Sequence, residues 1–244
     1  MKKTCAQLKD SARECLLGHY GVLITATLLV QLITTILNIP FTRMINTGTA
    51  YLAISRIILG YAGSFVVSLL TVVLTCSLSF MHLKIARRED VRSLDLLYCF
   101  KNHPDRYLGY AILIMVISFA FMIPGIICIS IGAVRMPTDQ FSWNLFFTVG
   151  IVLFVICGII LIIIMLGLSQ TIFLLLDHPE ITVRSAMKWS MQHMKGNKGR
   201  LFRLWISFIG WALLGLLTLG IGFLWIEPYV NQSLTQFYQD LVLS

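Results

Sequence analysis

The stretch LFFTVGIVLFVICGIILIIIMLGLSQTIFLLL, residues 145 to 176, decides the fold class of this chain. It contains no Asp, Glu, Lys or Arg. A bilayer core of about 30 Å is crossed by about 20 apolar residues in a helix. This stretch exceeds that length, so it predicts a transmembrane helix whose ends extend beyond the hydrocarbon or which is tilted.

The rest of the chain repeats this pattern. Four more apolar runs follow the same rule, at about residues 20–39, 57–83, 107–134 and 201–219. Overall, 57% of residues are hydrophobic and 12% are charged, with a mean hydropathy of +0.84, whereas soluble domains carry about a quarter charged residues. The sequence predicts an all-α membrane protein whose residues 1–244 form one polytopic domain, its first apolar run being retained as a span.

Basic residues predict the orientation. All but Arg43, Arg56 and Arg135 of the 19 Lys and Arg residues lie in the N-terminal segment, in the loop after the second run or in the stretch before the fifth. These three segments fall on the same side of the membrane if each run crosses it once. Because cytoplasmic loops are enriched in Lys and Arg, the N-terminus is expected in the cytoplasm, with residues 1–18 as an amphipathic interfacial helix.

The last segment, residues 222–241, permits two interpretations. Polar residues recur every fourth position, at Glu227, Asn231, Thr235 and Gln239, opposite an apolar face. This pattern fits a sixth span with its polar face inward, which places both termini in the cytoplasm. It also fits an amphipathic helix on the outer interface, which leaves five spans.

An internal repeat favours six spans. Three times, a short amphipathic stretch beginning with a serine leads through a Gly, Asn or His break into a span, and these serines are Ser11, Ser93 and Ser185. If each unit is an interfacial helix followed by a two-span hairpin, the third unit requires 222–241 as its second span. The predicted bundle therefore has three such units.

Residues 179–197 form a predicted basic amphipathic helix next to the fifth run. Arg184, Lys188 and Lys195 share a face, and each basic residue near an anionic membrane surface contributes about 1 kcal/mol of binding. Our first hypothesis is a non-enzymatic membrane protein that binds anionic lipid, or a membrane protein partner, at the cytoplasmic face. The alternative role of this helix is a collar that fixes topology and packs under the bundle.

Glu227 is the acidic residue most suited to a site within the membrane. Intramembrane carboxylates commonly serve proton or cation pathways, and the neighbouring Asn231, Gln232 and Gln236 are expected to line a polar path with Glu227. The second hypothesis is therefore a small transporter or permease whose last helix contributes a polar-lined path.

Other functions lack a motif. The six cysteines form no CxxC pair and the histidines form no HxxxH or HExxH pair, so no metal site is predicted. No nucleophile elbow, phosphate-binding loop or dinucleotide fingerprint occurs, which predicts neither catalytic residues nor a cofactor. A net charge of +8 is explained by topology rather than by nucleic-acid binding. The glycines of the fourth run, Gly150, Gly158 and Gly167, are expected to let helices approach closely.

The C-terminal third carries a family resemblance. Its residues are MKGNKGRLF at 194–202, SFIGW at 207–211, Gly220-Ile-Gly222, Pro228-Tyr229 and Phe237-Tyr238. In these the chain resembles an uncharacterised family of bacterial integral membrane proteins, domain of unknown function 975. The resemblance implies a multi-pass protein of the bacterial cytoplasmic membrane and implies no reaction.

Overall fold

A computed structural model describes residues 3–46, 53–134 and 145–242, and the regular elements in these ranges are all helices. In chain order they are α1 (Cys5–Leu16), α2 (Tyr20–Asn46), α3 (Ala53–Ala86), a 3-10 helix (Ser93–Leu97), α4 (Tyr98–Lys101), α5 (Pro104–Val134), α6 (Leu145–Leu168), α7 (Thr171–Asp177), α8 (Val183–His193), α9 (Lys198–Ile206), α10 (Ile209–Leu217) and α11 (Phe223–Val242). Within these ranges, five helical segments are long and apolar enough to cross a membrane. The predicted all-α membrane protein is confirmed.

Two of the predicted spans are interrupted by serine. The fourth divides into α6 and α7 near Ser169, and the fifth divides into α9 and α10 near Ser207. Each serine hydroxyl donates to the backbone carbonyl three residues earlier, over 2.8 Å from Ser169 and 2.6 Å from Ser207. A side chain that bonds to its own helix backbone competes with the helical pattern and bends the chain there.

The two predicted amphipathic helices are shorter than the sequence suggested. The structure has α1 at Cys5–Leu16, against a predicted 1–18, and a capping box between Thr4 and Gln7 begins it. The basic helix, α8, begins at Val183 and not near Pro179, because the Thr182 hydroxyl accepts the Ser185 N–H and caps it. An N-cap of this kind sets the first residue of a helix. Met1 and Lys2 lie outside the described residues.

Three helical hairpins organise the bundle. In the described part, α2 packs along α3, α5 along α6, and α10 along α11. A short helix precedes each hairpin along the chain, namely α1, α4 and α8, which is the order that the internal repeat predicts. The last helix is more polar than the five candidate spans, yet it packs against α1, α2 and α3. This packing favours a sixth bundle helix over a helix lying apart on the outer interface.

A tight turn joins α10 to α11. Leu219 and Gly220 both adopt left-handed backbone angles, with φ of 55° and 92°. The Thr218 hydroxyl accepts the Gly222 N–H over 2.8 Å, which satisfies a donor that the turn leaves outside helical bonding. The third hairpin therefore closes at this turn.

The core lies at one end of the bundle, defined by Lys84, Arg87 and Arg200 and called the basic end. Fully buried apolar side chains converge there from α1, α2, α3, α7, α9 and α11, including Leu8, Leu23, Met81, Leu175, Leu204 and Phe237. By contrast, the buried residues of α5 and α6 are Tyr107, Leu168 and glycines, and the other apolar side chains are partly or largely exposed, as expected of helices surrounded by lipid.

Candidate functional site

A polar cavity of about 200 Å³ lies between α2, α3 and α11. Its polar lining is Thr27, Gln31 and Thr34 from α2, Thr71, Thr75, Ser79 and His82 from α3, and Glu227 and Asn231 from α11. Because α2 and α3 are candidate spans, this polar surface lies among helices that the bilayer surrounds. Polar groups at such depth are costly unless they are paired or line a hydrated site.

Helical spacing brings the lining residues together. Thr71, Thr75, Ser79 and His82 follow one another by four, four and three positions, which places them on one face of α3. The Thr71, Thr75 and Ser79 hydroxyls donate to carbonyls of their own helix over 2.9 to 3.1 Å. Each hydroxyl oxygen then retains acceptor capacity, so the wall offers acceptors more than donors.

Four polar side chains of the cavity stand apart from this internal bonding. Within the described residues, the side chains of Thr27, Gln31, Glu227 and Asn231 make neither a hydrogen bond nor an ion pair. Pro228 adds one more acceptor nearby, since it has no N–H to donate to the carbonyl of Leu224. The cavity therefore combines a carboxylate, amides and oxygen acceptors whose bonding is left to water or a ligand.

His82 forms the floor of the cavity towards the basic end. Its Nδ1 lies 2.8 Å from Oε1 of Gln232, and both side chains are buried. With the amide oxygen as acceptor, Nδ1 carries the hydrogen, and the neutral ring keeps Nε2 as an acceptor. Gln232, predicted as part of the polar path, therefore orients a lining residue and is not itself lining.

Below the cavity, α11 is tied to the basic end by ion pairs. Asp240 accepts from the Arg200 guanidinium and, over 3.1 Å, from the Lys3 backbone N–H. Tyr238 donates to Asp177 over 2.7 Å, and Asp177 in turn pairs with Arg87. These contacts hold the end of α11 against α1, α3, α7 and α9.

A neighbouring ion pair secures the short helices of the second unit. Lys84 lies 2.8 Å from Asp95. Burial raises the pKa of Asp95, but the Arg92 backbone N–H and the Lys84 ammonium more than offset burial. The pKa of Asp95 therefore lies below its ordinary value, and the carboxylate is charged at neutral pH.

A family profile matches residues 1–243, and its description reads protein of unknown function, DUF975. The chain belongs to the DUF975 family. This confirms the family that the C-terminal motifs resemble. Searches of curated proteins and of solved structures found no match to the chain.

The predicted path residues of this DUF975 protein separate in the structure. Glu227 and Asn231 line the cavity together, and Gln232 reaches it through His82. Gln236 does not reach the cavity, since its amide lies 3.3 Å from the Cys15 sulfur at the contact with α1. The C-terminal half of α11 is thus buried on several sides, and not on one apolar face alone.

The predicted lipid-binding residues of the DUF975 protein lie elsewhere. All three are exposed, but only Arg184 and Lys188 lie on α8, since the helix ends at His193 and Lys195 follows it. Ala186 and Ser190, on the other side of α8, are buried. The Ser190 hydroxyl donates to the Gly167 carbonyl over 2.7 Å and fixes α8 to α6. The basic face is therefore free to meet anionic groups while the opposite face packs on the bundle.

The α2 and α3 walls of the cavity were not predicted from the sequence. The signal was present as polar residues three or four positions apart within apolar runs, from Thr27 to Thr34 and from Thr71 to His82. Threonine and serine occur in many spans with their hydroxyls bonded to the backbone, so single positions attract no notice. The stripe on each helix is the informative feature.

Proposed function

We propose that this protein is a small permease that binds a positively charged or proton-bearing solute in the polar cavity and passes it across the membrane. Glu227 carries the proposal, because it is a carboxylate in a cavity among membrane helices without an ion-pair partner in the described part of the chain. An acidic side chain at the centre of a membrane helix costs about 2.5 to 3.5 kcal/mol. A bound cation, a proton or water lowers that cost.

A second cavity supplies the other half of a path. Thr34 belongs both to the polar cavity and to an open cavity of about 550 Å³ along α2. The latter is lined by Thr34, Thr35, Asn38, Ile39, Thr42 and Arg43. These residues all belong to α2 and extend its polar stripe away from the basic end, which supports a route from Glu227 towards the far surface.

We place the basic end in the cytoplasm of a bacterial cell, with both termini there and the protein in the cytoplasmic membrane. The support is the concentration of Lys and Arg at that end, which follows the positive-inside rule. The far cavity then opens outward. Under this proposal the protein is a carrier and not an enzyme.

Water access along the stripe tests the permease proposal. We expect Thr34→Cys and Asn38→Cys to react with a charged, water-soluble methanethiosulfonate about 10-fold or more faster than cysteines facing lipid, because the reactive thiolate forms in water and not in hydrocarbon. Leu32→Cys and Ile36→Cys are the matched controls, since both side chains are exposed at the same depth of α2. Labelling is measured by mass spectrometry of the α2 peptide in intact cells. Equal rates at all four positions would contradict a hydrated stripe.

Binding of anionic lipid, or of a membrane protein partner, at the cytoplasmic face is the second candidate function. Its support is the exposed Arg184 and Lys188 on α8, together with the exposed Lys195 just after the end of that helix. This role is compatible with a permease, because α8 lies outside the cavity.

The double variant Arg184→Gln/Lys188→Gln tests that surface. Removing two basic residues should weaken retention of phosphatidylglycerol about 30-fold, at about 1 kcal/mol for each charge. The measurement is native mass spectrometry of the protein released from mixed-lipid nanodiscs. A matched control removes two exposed basic residues outside α8, Arg92→Gln/Lys101→Gln. Equal loss in the two variants would show a general charge effect and no site on α8.

A further inference from the structure

Glu227 and Asn231 also border a third cavity, on the other side of α11. This cavity measures about 390 Å³ and lies between α11 and the α9–α10 pair. Its apolar lining includes Trp205, Ile209, Ala212, Phe223, Ile226 and Val230. Apart from the two shared residues, its walls are apolar.

The two cavities therefore meet at the edge of α11 that carries the carboxylate. A compact hydrophilic cation uses the polar cavity and leaves the apolar one without a role. A neutral hydrocarbon uses the apolar cavity and leaves Glu227 unpaired. A molecule with a positive group beside Glu227 and an apolar body against the α9–α10 wall satisfies both, because the wall removes the apolar body from water.

The charge and size of the two cavities that Glu227 borders limit the chemical class of the solute further. No Lys or Arg lines either cavity, and His82 is the nearest basic group, held by Gln232. An anionic ligand would meet Glu227 without a compensating cation. Aromatic walls favour cations as well, because the faces of Trp and Phe attract positive charge, and a space of this size matches ordinary ligand pockets.

We propose that the solute of this protein is a cationic amphiphile, whose positive group pairs with Glu227 and whose apolar body lies in the cavity between α10 and α11. The proposal rests on the permease function and adds the chemical class of its solute. It also assigns separate roles to two sets of residues: Glu227 selects charge, and the α10 wall accommodates the apolar body.

Isosteric probe ions separate charge from hydrophobicity. The full chain in phosphatidylcholine nanodiscs is titrated with tetraphenylphosphonium, tetraphenylborate and tetramethylammonium, and binding to empty nanodiscs is subtracted. We expect saturable binding of tetraphenylphosphonium, none of its anionic isostere, and weak binding of the small cation. Glu227→Gln should reduce tetraphenylphosphonium affinity about 10-fold or more, since an ionic partner is lost.

A pair of variants tests the apolar wall without changing the carboxylate. Ala212→Trp fills the cavity and should weaken tetraphenylphosphonium binding, while tetramethylammonium binding stays unchanged. Leu213→Trp is the matched control, because Leu213 is exposed on the same helix and does not line the cavity. Each variant is first compared with the parent protein by its unfolding temperature, and the Ala212 result stands even if Glu227→Gln fails to fold.

The outcomes distinguish this inference from the permease proposal. Tetramethylammonium affinity equal to that of tetraphenylphosphonium and dependent on Glu227, or no effect of Ala212→Trp, would show that the solute is not an amphiphile. The permease proposal would still stand. If tetraphenylborate binds equally and Glu227→Gln changes nothing, the binding is partition into lipid-like surface and the inference is overturned. If no cation binds and the stripe cysteines react no faster than their controls, the permease proposal fails as well.

Discussion

Asp240→Asn should destabilise the protein by about 3 to 5 kcal/mol, the loss typical of removing one member of a buried ion pair. The Asp240 side chain is 7% exposed and that of Arg200 is 15% exposed. Asp240 accepts from the Arg200 guanidinium and from the Lys3 N–H. Neutralising the carboxylate leaves the arginine buried without its counter-charge. The expected result is a large fall in the unfolding temperature, measured by tryptophan fluorescence in detergent.

The position of this pair makes the effect larger than that of other ion pairs. Arg200 also donates to the Lys3 carbonyl, over 2.7 Å from Nη2, so the same guanidinium holds α1, α9 and α11 together. By contrast, Glu180 lies 3.3 Å from His178 with both side chains more than half exposed. Exposed pairs contribute about 0 to 1 kcal/mol, so Glu180→Gln is the matched control and should leave the unfolding temperature nearly unchanged.

A double variant shows whether the unpaired charge is the cause. Arg200→Gln/Asp240→Asn removes both charges and should recover part of the stability lost by Asp240→Asn alone. The bonds from Arg200 to the Lys3 carbonyl remain lost, so the recovery is incomplete. If the double variant is as unstable as the sum of the two single variants, the pair is not coupled and the explanation is wrong.

The apolar runs predicted the five candidate spans because the thickness of the bilayer sets the length of each span independently of the rest of the fold. The run at 57–83 becomes α3, at Ala53–Ala86, and the run at 107–134 becomes α5, at Pro104–Val134. Additional polar residues join the ends of each helix, because helices continue past the hydrocarbon until a cap or turn stops them. The breaks near Ser169 and Ser207 depend on local side-chain bonding that hydropathy does not register.

The role of α11 depended on partners far away in the chain. Tyr238 meets Asp177, and Asp240 meets Arg200. No periodicity within α11 reveals such contacts, so a helix with polar residues on several faces was described as having one polar face and one apolar face. The candidate site was predicted at Glu227 and Asn231, but its α2 and α3 walls required the packing of three helices. The site therefore follows from tertiary structure more than from any single motif.

The contacts of single glycines also could not be predicted from the sequence. Substituting some of these glycines is expected to destabilise the protein strongly. Sequence alone treats Gly150 and Gly158 alike. In the structure, a Cβ on Gly150 would come within 2.6 Å of the Ile129 backbone nitrogen, whereas a Cβ on Gly158 would meet nothing closer than the Met122 methyl group at 3.9 Å. Only the rotation of α6 against α5 distinguishes these positions.

Close approach extends over residues 125–132 of α5 and 147–154 of α6. A Cβ on Gly132 would lie 2.5 Å from the Phe147 nitrogen, and a Cβ on Gly125 would lie 2.8 Å from the Phe154 Cα. The contacts run antiparallel, with 125 opposite 154, 129 opposite 150 and 132 opposite 147. Because the obstructing atoms belong to the backbone, no side-chain rotation relieves them, and an added methyl group must separate the helices.

Gly132→Ala/Gly150→Ala should therefore destabilise the α5–α6 hairpin strongly, by about 1 to 3 kcal/mol at each position as for other overpacked sites. In lipid, helices associate through van der Waals packing and not through a hydrophobic driving force. A gap of about 0.5 to 1 Å already loses a quarter to a half of each contact's attraction. The unfolding temperature and monodispersity of the detergent-solubilised protein measure the effect.

Gly158→Ala is the control within the same helix and adds the same methyl group to α6. It should change the free energy of unfolding by no more than about 0.5 kcal/mol, as a neutral surface substitution does. Equal destabilisation by Gly150→Ala and Gly158→Ala would mean that helix flexibility, and not interhelical distance, is what these glycines supply. Because α5 and α6 lie outside the polar cavity, a stable Gly158 variant should also retain cation binding, whereas separation of the hairpin alters the support of α3 and α7 beside it.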